Sequence, residues 1–236
     1  MTIPRRPLLL AALAAPFLSR QARAATTAIA LRPGAPRTRI ATRTLRGERG
    51  EAFAIAFGAQ GEVRLPTWYG DGRVLRALPL AGREVLLAEF QGNRGTGVAQ
   101  RLVAAIGWDD AAGLRILGIE TLSFRDAQTS AASRRMTGTL EATAARDALL
   151  LRHETVLRRG RGPDLRETWT TRLAWSGAGL LAAPATPPRA GGMQRRVDAA
   201  RARIHALLAA APVTDATALD YDEAGLWAVG YAEPVS

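Results

Sequence analysis

The chain is 236 residues long, has neither cysteine nor lysine, and sets 32 arginines against 21 acidic residues for a formal charge of +11. Without cysteine there can be no disulfide, thiolate metal site, cysteine nucleophile or cysteine-linked lipid, so stability must come from packing. Arginine used to the exclusion of lysine, beside abundant alanine, reflects base composition as much as function, so arginine clusters are discounted here; net charge speaks to solubility and partners rather than to fold.

Residues 1–24 carry, in order, Arg5-Arg6, an apolar run from Pro7 to Leu18 and the site Ala22-Arg23-Ala24. That order is that of a cleavable secretory signal. The run, interrupted by Pro16, falls short of the roughly 18 apolar residues a spanning helix needs. The arginine pair, with Arg20 and Arg23 after the apolar run, resembles the twin-arginine class of bacterial export signals, although Pro4 stands where that class prefers Ser or Thr. The resemblance covers the leader alone and implies a chain exported already folded, to the periplasm or beyond. Cleavage before Ala25 leaves 28 arginines against 21 acids, or +7. Such an excess favours an anionic envelope surface, such as phospholipid or lipopolysaccharide head groups, and in an exported protein nucleic acid is not the expected partner.

Residues 25–50 lack a strong period, and Arg32, Arg37, Arg39, Arg43, Arg46 and Arg49 alternate with Pro, Gly and Thr, which predicts an Arg-rich extended arm or edge segment. Residues 51–236 predict one antiparallel β domain. Period-two runs place strands at 51–57, 62–69, 73–80, 84–91, 98–108, 114–125, 135–145, 147–157, 166–175 and 178–183. Asp71-Gly72, Asp109 to Gly113 and Ser176 to Gly179 supply tight turns, and consecutive short turns favour a meander. Residues 182–192, with three prolines and Gly191-Gly192, form a linker. A helix follows over 193–211, its stripe being Met193, Val197, Ile204, Leu207 and Leu208, with Arg195, Arg196, Arg201 and Arg203 elsewhere around it and Pro212 ending it. Leu226 to Tyr231 predicts a final strand.

The expected fold is therefore mainly β: a single-domain antiparallel meander forming a barrel or strongly curved sheet, with one C-terminal helix packed on it and a last strand. In outline such a chain resembles lipocalin-type or lipoprotein-carrier barrels; the likeness is architectural, without a sequence motif of either family.

Polar residues that interrupt the apolar faces mark where chemistry would reside. On the alternating faces of 98–108, 114–125, 147–157 and 166–175 the intruders are Gln100, Glu120, His153, Thr155 and Thr171. Short loops suggest a register with Leu102 opposite Glu120, Glu120 opposite Leu140, Leu140 opposite His153 and His153 opposite Thr171. That register gathers Gln100, Glu120, His153 and Thr171 as a candidate ligand site. A carboxylate on an apolar face needs a donor, a proton or a ligand, so the alternative is a satisfied buried network.

The loop Gln91 to Gly97 offers Asn93, Arg94 and Thr96 as a possible anion site, although it leads into a strand rather than the helix that a phosphate loop requires. His153 and His205 lack metal spacing, no Gly-x-Ser-x-Gly occurs, and the glutamates at 89, 120, 141, 154 and 167 have no fixed separation. No cofactor, metal or catalytic residue is predicted.

The sequence thus points to an exported, non-catalytic binding or envelope-associated protein. Its partner would be an amphipathic small molecule, set against Leu102, Leu122, Leu140 and Leu151, or an anionic envelope surface. Two alternatives stand beside it: a periplasmic hydrolase using Glu120 and His153, and a structural interaction module.

Overall fold

The structure is a computed structural model that describes residues 28–47, 50–67, 71–129 and 131–232. The leader and the Trp68-Tyr69 end of one predicted strand lie outside the described residues. A small sheet contains β1 (Ala28–Ile29), β2 (Thr38–Gly47), β3 (Gly50–Phe57) and β4 (Glu62–Thr67) in sequence order. A larger sheet contains β5 (Gly72–Leu80), β6 (Arg83–Gly95), β7 (Val98–Asp109), β8 (Gly113–Asp126), β9 (Ala132–Ala142), β10 (Ala148–Arg159) and β11 (Leu165–Ala174), also in sequence order. Every ladder is antiparallel. No closed barrel is found; the larger sheet curls so that the Arg76 guanidinium on β5 donates to the Leu140 carbonyl on β9.

Two strand expectations are corrected, and the Arg-rich segment is given its pairing. The arm over 25–50 is largely sheet: β2 pairs along its length with β3, yet only Ile40 of its side chains is buried, so main-chain bonding left no hydrophobic period to read. Residues 178–183 make only an isolated bridge, Ala174 to Ala182. Residues 226–231 are successive turns rather than a strand, because the Leu226 amide bonds back to Tyr221 and that of Tyr231 to Ala228. This segment plugs the core with Leu226 and Val229, and Gly230 lies so close to Phe124 that a Cβ there would be 2.1 Å from its ring.

Both faces of the middle of the larger sheet are covered. Leu86, Ala88, Phe90, Leu102, Ala104 and Ile106 pack with Phe53, Ile55, Val63 and Leu65 of the small sheet in one core. Val85, Leu87, Val103, Ala105, Leu140, Leu149, Leu151 and Leu173 form a second core on the concave side. Burial on both faces explains why these strands carry unbroken apolar runs such as Leu102 to Ile106.

The helix α1 (Gly192–Ala210) lies against β8 and is held by sheet side chains at both ends. At its start the Glu167 carboxylate on β11 accepts from the amides of Met193 (3.1 Å) and Gln194 (2.8 Å), the orphan donors of a first helical turn. Gly191 permits the approach, since a Cβ there would be 2.2 Å from that carboxylate. At its end Arg115 of β8 donates to the Leu208 carbonyl and pairs with buried Asp109 at 3.2 Å. Burial works against the Asp109 charge, but the amides of Ala111 and Gly179 and the Arg115 guanidinium hold its pKa below the usual carboxylate range. Glu167→Ala is expected to lower the unfolding free energy by about 1 kcal/mol, with Glu167→Gln intermediate, in urea titrations followed by circular dichroism.

Candidate functional site

The predicted register fails because β8 carries two bulges. Between Arg101↔Ser123 and Leu102↔Thr121 it holds one extra residue, Leu122, and between Ala105↔Gly118 and Ile106↔Ile116 another, Leu117. Each extra residue reverses the alternation that follows. Leu114, Ile116, Ile119 and Phe124 therefore face one core while Leu117 faces the other. Glu120 stands opposite Val103 rather than Leu102, and His153 opposite Gly138 and Trp169 rather than Leu140 and Thr171.

The ladder between β8 and β9 covers only Ser123–Asp126 against Thr137–Arg134. Where the two strands part, main-chain groups of β8 find other partners, as buried polar groups must. The Leu117 carbonyl accepts from the Leu181 amide, and the Thr121 carbonyl lies 2.9 Å from His153 Nε2. His153 reaches it from β10 across Gly138, where a Cβ would come within 3.0 Å of the imidazole. A carbonyl only accepts, so in the neutral ring Nε2 carries the proton and Nδ1 is a bare acceptor. His153 stacks on Trp169 at 4.8 Å, and its Nδ1, Trp169 Nε1 and Thr155 Oγ1 have no hydrogen-bond partner.

Glu120 finds its donor on the helix. Arg201 Nε donates to Glu120 Oε1 at 2.6 Å, with both side chains 9% exposed, and Arg201 also donates to Asp198 one turn earlier. Arg201, assigned from sequence to the polar side of the helix, thus belongs to its buried face: Val197, Arg201, Ile204 and Leu208 recur at helical spacing. Burial opposes its charge, but the carboxylates of Glu120 and Asp198 more than offset this and raise its pKa above the ordinary guanidinium value. Burial pushes the His153 imidazole below its ordinary pKa, against the Thr121 carbonyl and the Glu120 charge and with the help of the Arg201 charge.

The remaining predicted residues serve the C-terminal segment or the core. Gln100 donates to Thr121 Oγ1 (3.2 Å) and to the Leu226 carbonyl (2.8 Å), and accepts from the Asn93 amide (2.9 Å). Asn93 in turn donates to the Trp227 carbonyl and the Tyr231 hydroxyl, both at 2.9 Å. Arg94 belongs to β6, opposite Ala99, and Thr96 occupies the exposed β6–β7 turn. Thr171 is buried opposite Leu151. Glu120 and His153 are thus electrostatic neighbours linked to Arg201, Gln100 meets them only through Thr121, and Thr171 belongs to another cross-strand pair. Among the described residues no three His, Asp or Glu side chains are grouped to hold a metal, and no helix is long and apolar enough to cross a membrane.

Sequence reasoning missed a basic surface. On the exposed face of β8 to β11, Arg125 stands directly opposite Arg135, Arg135 opposite Val156 and Val156 opposite Arg166, while Arg158 stands opposite Ser133 in the next row. Arg166 lies 3.4 Å from Glu154 and Arg158 3.6 Å from Asp164. Arg125 and Arg135 make no ion pair with any described residue. Only the register of the β8–β9 hairpin sets these two arginines, ten residues apart in sequence, face to face.

The fold and site define an antiparallel β protein with a helix clamped across the face of its larger sheet. No protein-family model matches the chain, and neither a curated protein nor a solved structure shows significant similarity to it.

Two outcomes follow from the buried polar residues. Glu120→Leu or Arg201→Met alone should destabilise the fold by about 3–5 kcal/mol, whereas the double variant should recover most of that loss in a urea cycle. His153 has a lowered folded pKa, so below its unfolded value the unfolded chain binds more protons and stability falls as pH drops. The melting temperature should therefore decline below about pH 6.5, and His153→Gln should flatten that decline above the range in which carboxylates titrate.

Proposed function

We propose that the mature chain is an exported, non-catalytic binding protein of the cell envelope that meets anionic surfaces with the arginine row of its larger sheet. The observation that carries this reading is the direct opposition of Arg125 and Arg135 without a carboxylate partner among the described residues. Like charges facing each other across a ladder cost stability, and a bound anion turns that cost into affinity. Exposed positions on a sheet do not require arginine for packing.

The interior supports the same reading. Gln100 and Glu120 are engaged in fastening the C-terminal segment and α1. The apolar residues proposed to meet an acyl chain, Leu102, Leu122, Leu140 and Leu151, belong to the two packed cores. This favours recognition of a charged head group at the surface over enclosure of a lipid tail. Each arginine near an anionic bilayer contributes about 1 kcal/mol, so a row of three or four gives attachment in the millimolar range rather than anchoring.

Residues 25–236 should co-sediment with vesicles containing phosphatidylglycerol, not with pure phosphatidylcholine, and should detach at about 0.5 M salt, where the screening length is only a few Å. Equal partition onto both vesicle types, or onto neither, would overturn the reading.

A further inference from the structure

The arginine row borders a defined pocket, and we infer that this pocket is a binding site for a phosphoryl group of the phosphomonoester type. The inference rests on the surface reading above and names the group that surface selects. The pocket has a volume of about 460 Å³ and opens on the outward side of β8 to β10 near the β8–β9 hairpin. Pockets for small ligands run from about 300 Å³ upward.

Its walls carry five arginines, Arg125, Arg134, Arg135, Arg158 and Arg166, against two carboxylates, Asp126 and Glu154, a net charge of +3. Asp126 is occupied elsewhere: one oxygen accepts from the Gln128 amide at 3.1 Å and the other from the Ala232 amide at 2.8 Å. Glu154 is shared with Arg166. What remains uncompensated is the cross-strand couple Arg125 and Arg135.

Successive side chains of a strand alternate, so Arg134, next to Arg135 on β9, turns its side chain to the other face of the sheet, toward α1, and the site rests on the outward arginines. Arg134 is 9% exposed, its Nε has no hydrogen-bond partner, and one terminal nitrogen contacts the Met193 thioether, a weak acceptor. Burial, followed by the repulsion of nearby Arg196, draws its pKa below the ordinary guanidinium value despite Glu167 and Asp126.

The group that fits is one with several oxygens and two negative charges. Guanidinium forks match phosphate oxygens, three of which can accept from different arginines, while a carboxylate offers only two. Ser133 and Thr137, also on the wall, add hydroxyl donors. Either a lipid head group or a soluble metabolite could present this chemistry.

The test is calorimetric titration of residues 25–236 with glycerol 3-phosphate. One saturable site is expected, weakened about tenfold or more by Arg125→Gln or by Arg135→Gln. Arg39→Gln, which removes the same charge from exposed β2, should change affinity less than twofold. Both pocket variants should melt no lower than the parent, because they relieve a like-charge pair on an exposed face. Vesicles bearing phosphatidic acid distinguish the source: displacement of bound protein by glycerol 3-phosphate assigns the pocket to a lipid head group, and saturable binding without displacement assigns it to a soluble phosphomonoester. Absence of saturable binding, or equal weakening by Arg39→Gln, overturns the site. Vesicle attachment that survives such a result leaves the surface reading intact, whereas saturable phosphate binding without vesicle attachment removes the envelope reading and leaves the pocket.

Discussion

A carboxylate on a strand and a guanidinium on a helix, Glu120 and Arg201, meet at 2.6 Å with little solvent around either, and the placement of α1 over the larger sheet depends on that contact. Apolar packing alone specifies a helix position loosely: alanines and leucines slide past one another at small cost. A buried charge pair does not slide, since a displacement of a single residue leaves both charges without a partner in a poorly polarisable interior. Glu167 at one end of α1 and Arg115 at the other repeat the principle with main-chain partners, so the helix is located along its axis at three points.

This clamping answers a problem that the sheet creates for itself. Two bulges twist β8 away from β9, so that their ladder is only four pairs long and polar groups of β8 are left to find partners elsewhere. Leu181, His153 and Arg201 supply them, from a coil segment, a strand two places away and a helix. The polar intruders of β7, β8 and β10 are therefore the fittings of a seam between sheet, helix and C-terminal turns. Gln100 is typical, with its amide nitrogen and oxygen each engaged and one bond running to a residue 126 positions away.

The outward face of the same strands is governed by the opposite economy. Inside, Arg201 is matched by Glu120 and Arg115 by Asp109; outside, Arg125 and Arg135 are placed where they repel. Solvent screens such repulsion on a surface, so the fold tolerates it, and the stored electrostatic energy is available to an incoming anion. The binding reading and the phosphoryl site both follow from this asymmetry between a neutralised seam and an uncompensated face.

Sequence by itself determined the class of fold, the meander order of the larger sheet and the helix within one residue at each end, because hydrophobic period and turn chemistry are local signals. It also marked Gln100, Glu120 and His153 as buried polar groups. Their partners were beyond it. A bulge leaves no trace in an apolar run such as Ile116 to Ile119, yet each bulge reversed a face, and the one at Leu117 moved Glu120 from Leu102 to Val103. Strand β2 was hidden because an exposed strand held by main-chain bonds shows no hydrophobic period, and the final strand was a false expectation because alternating apolar residues can equally line buried turns. Arg201 was within reach of a closer reading, since it falls in step with Val197, Ile204 and Leu208. The opposition of Arg125 and Arg135 was not: only the tertiary structure decides which residues become neighbours across a ladder, because register is set by the packing of whole strands and not by the residues that end up facing each other.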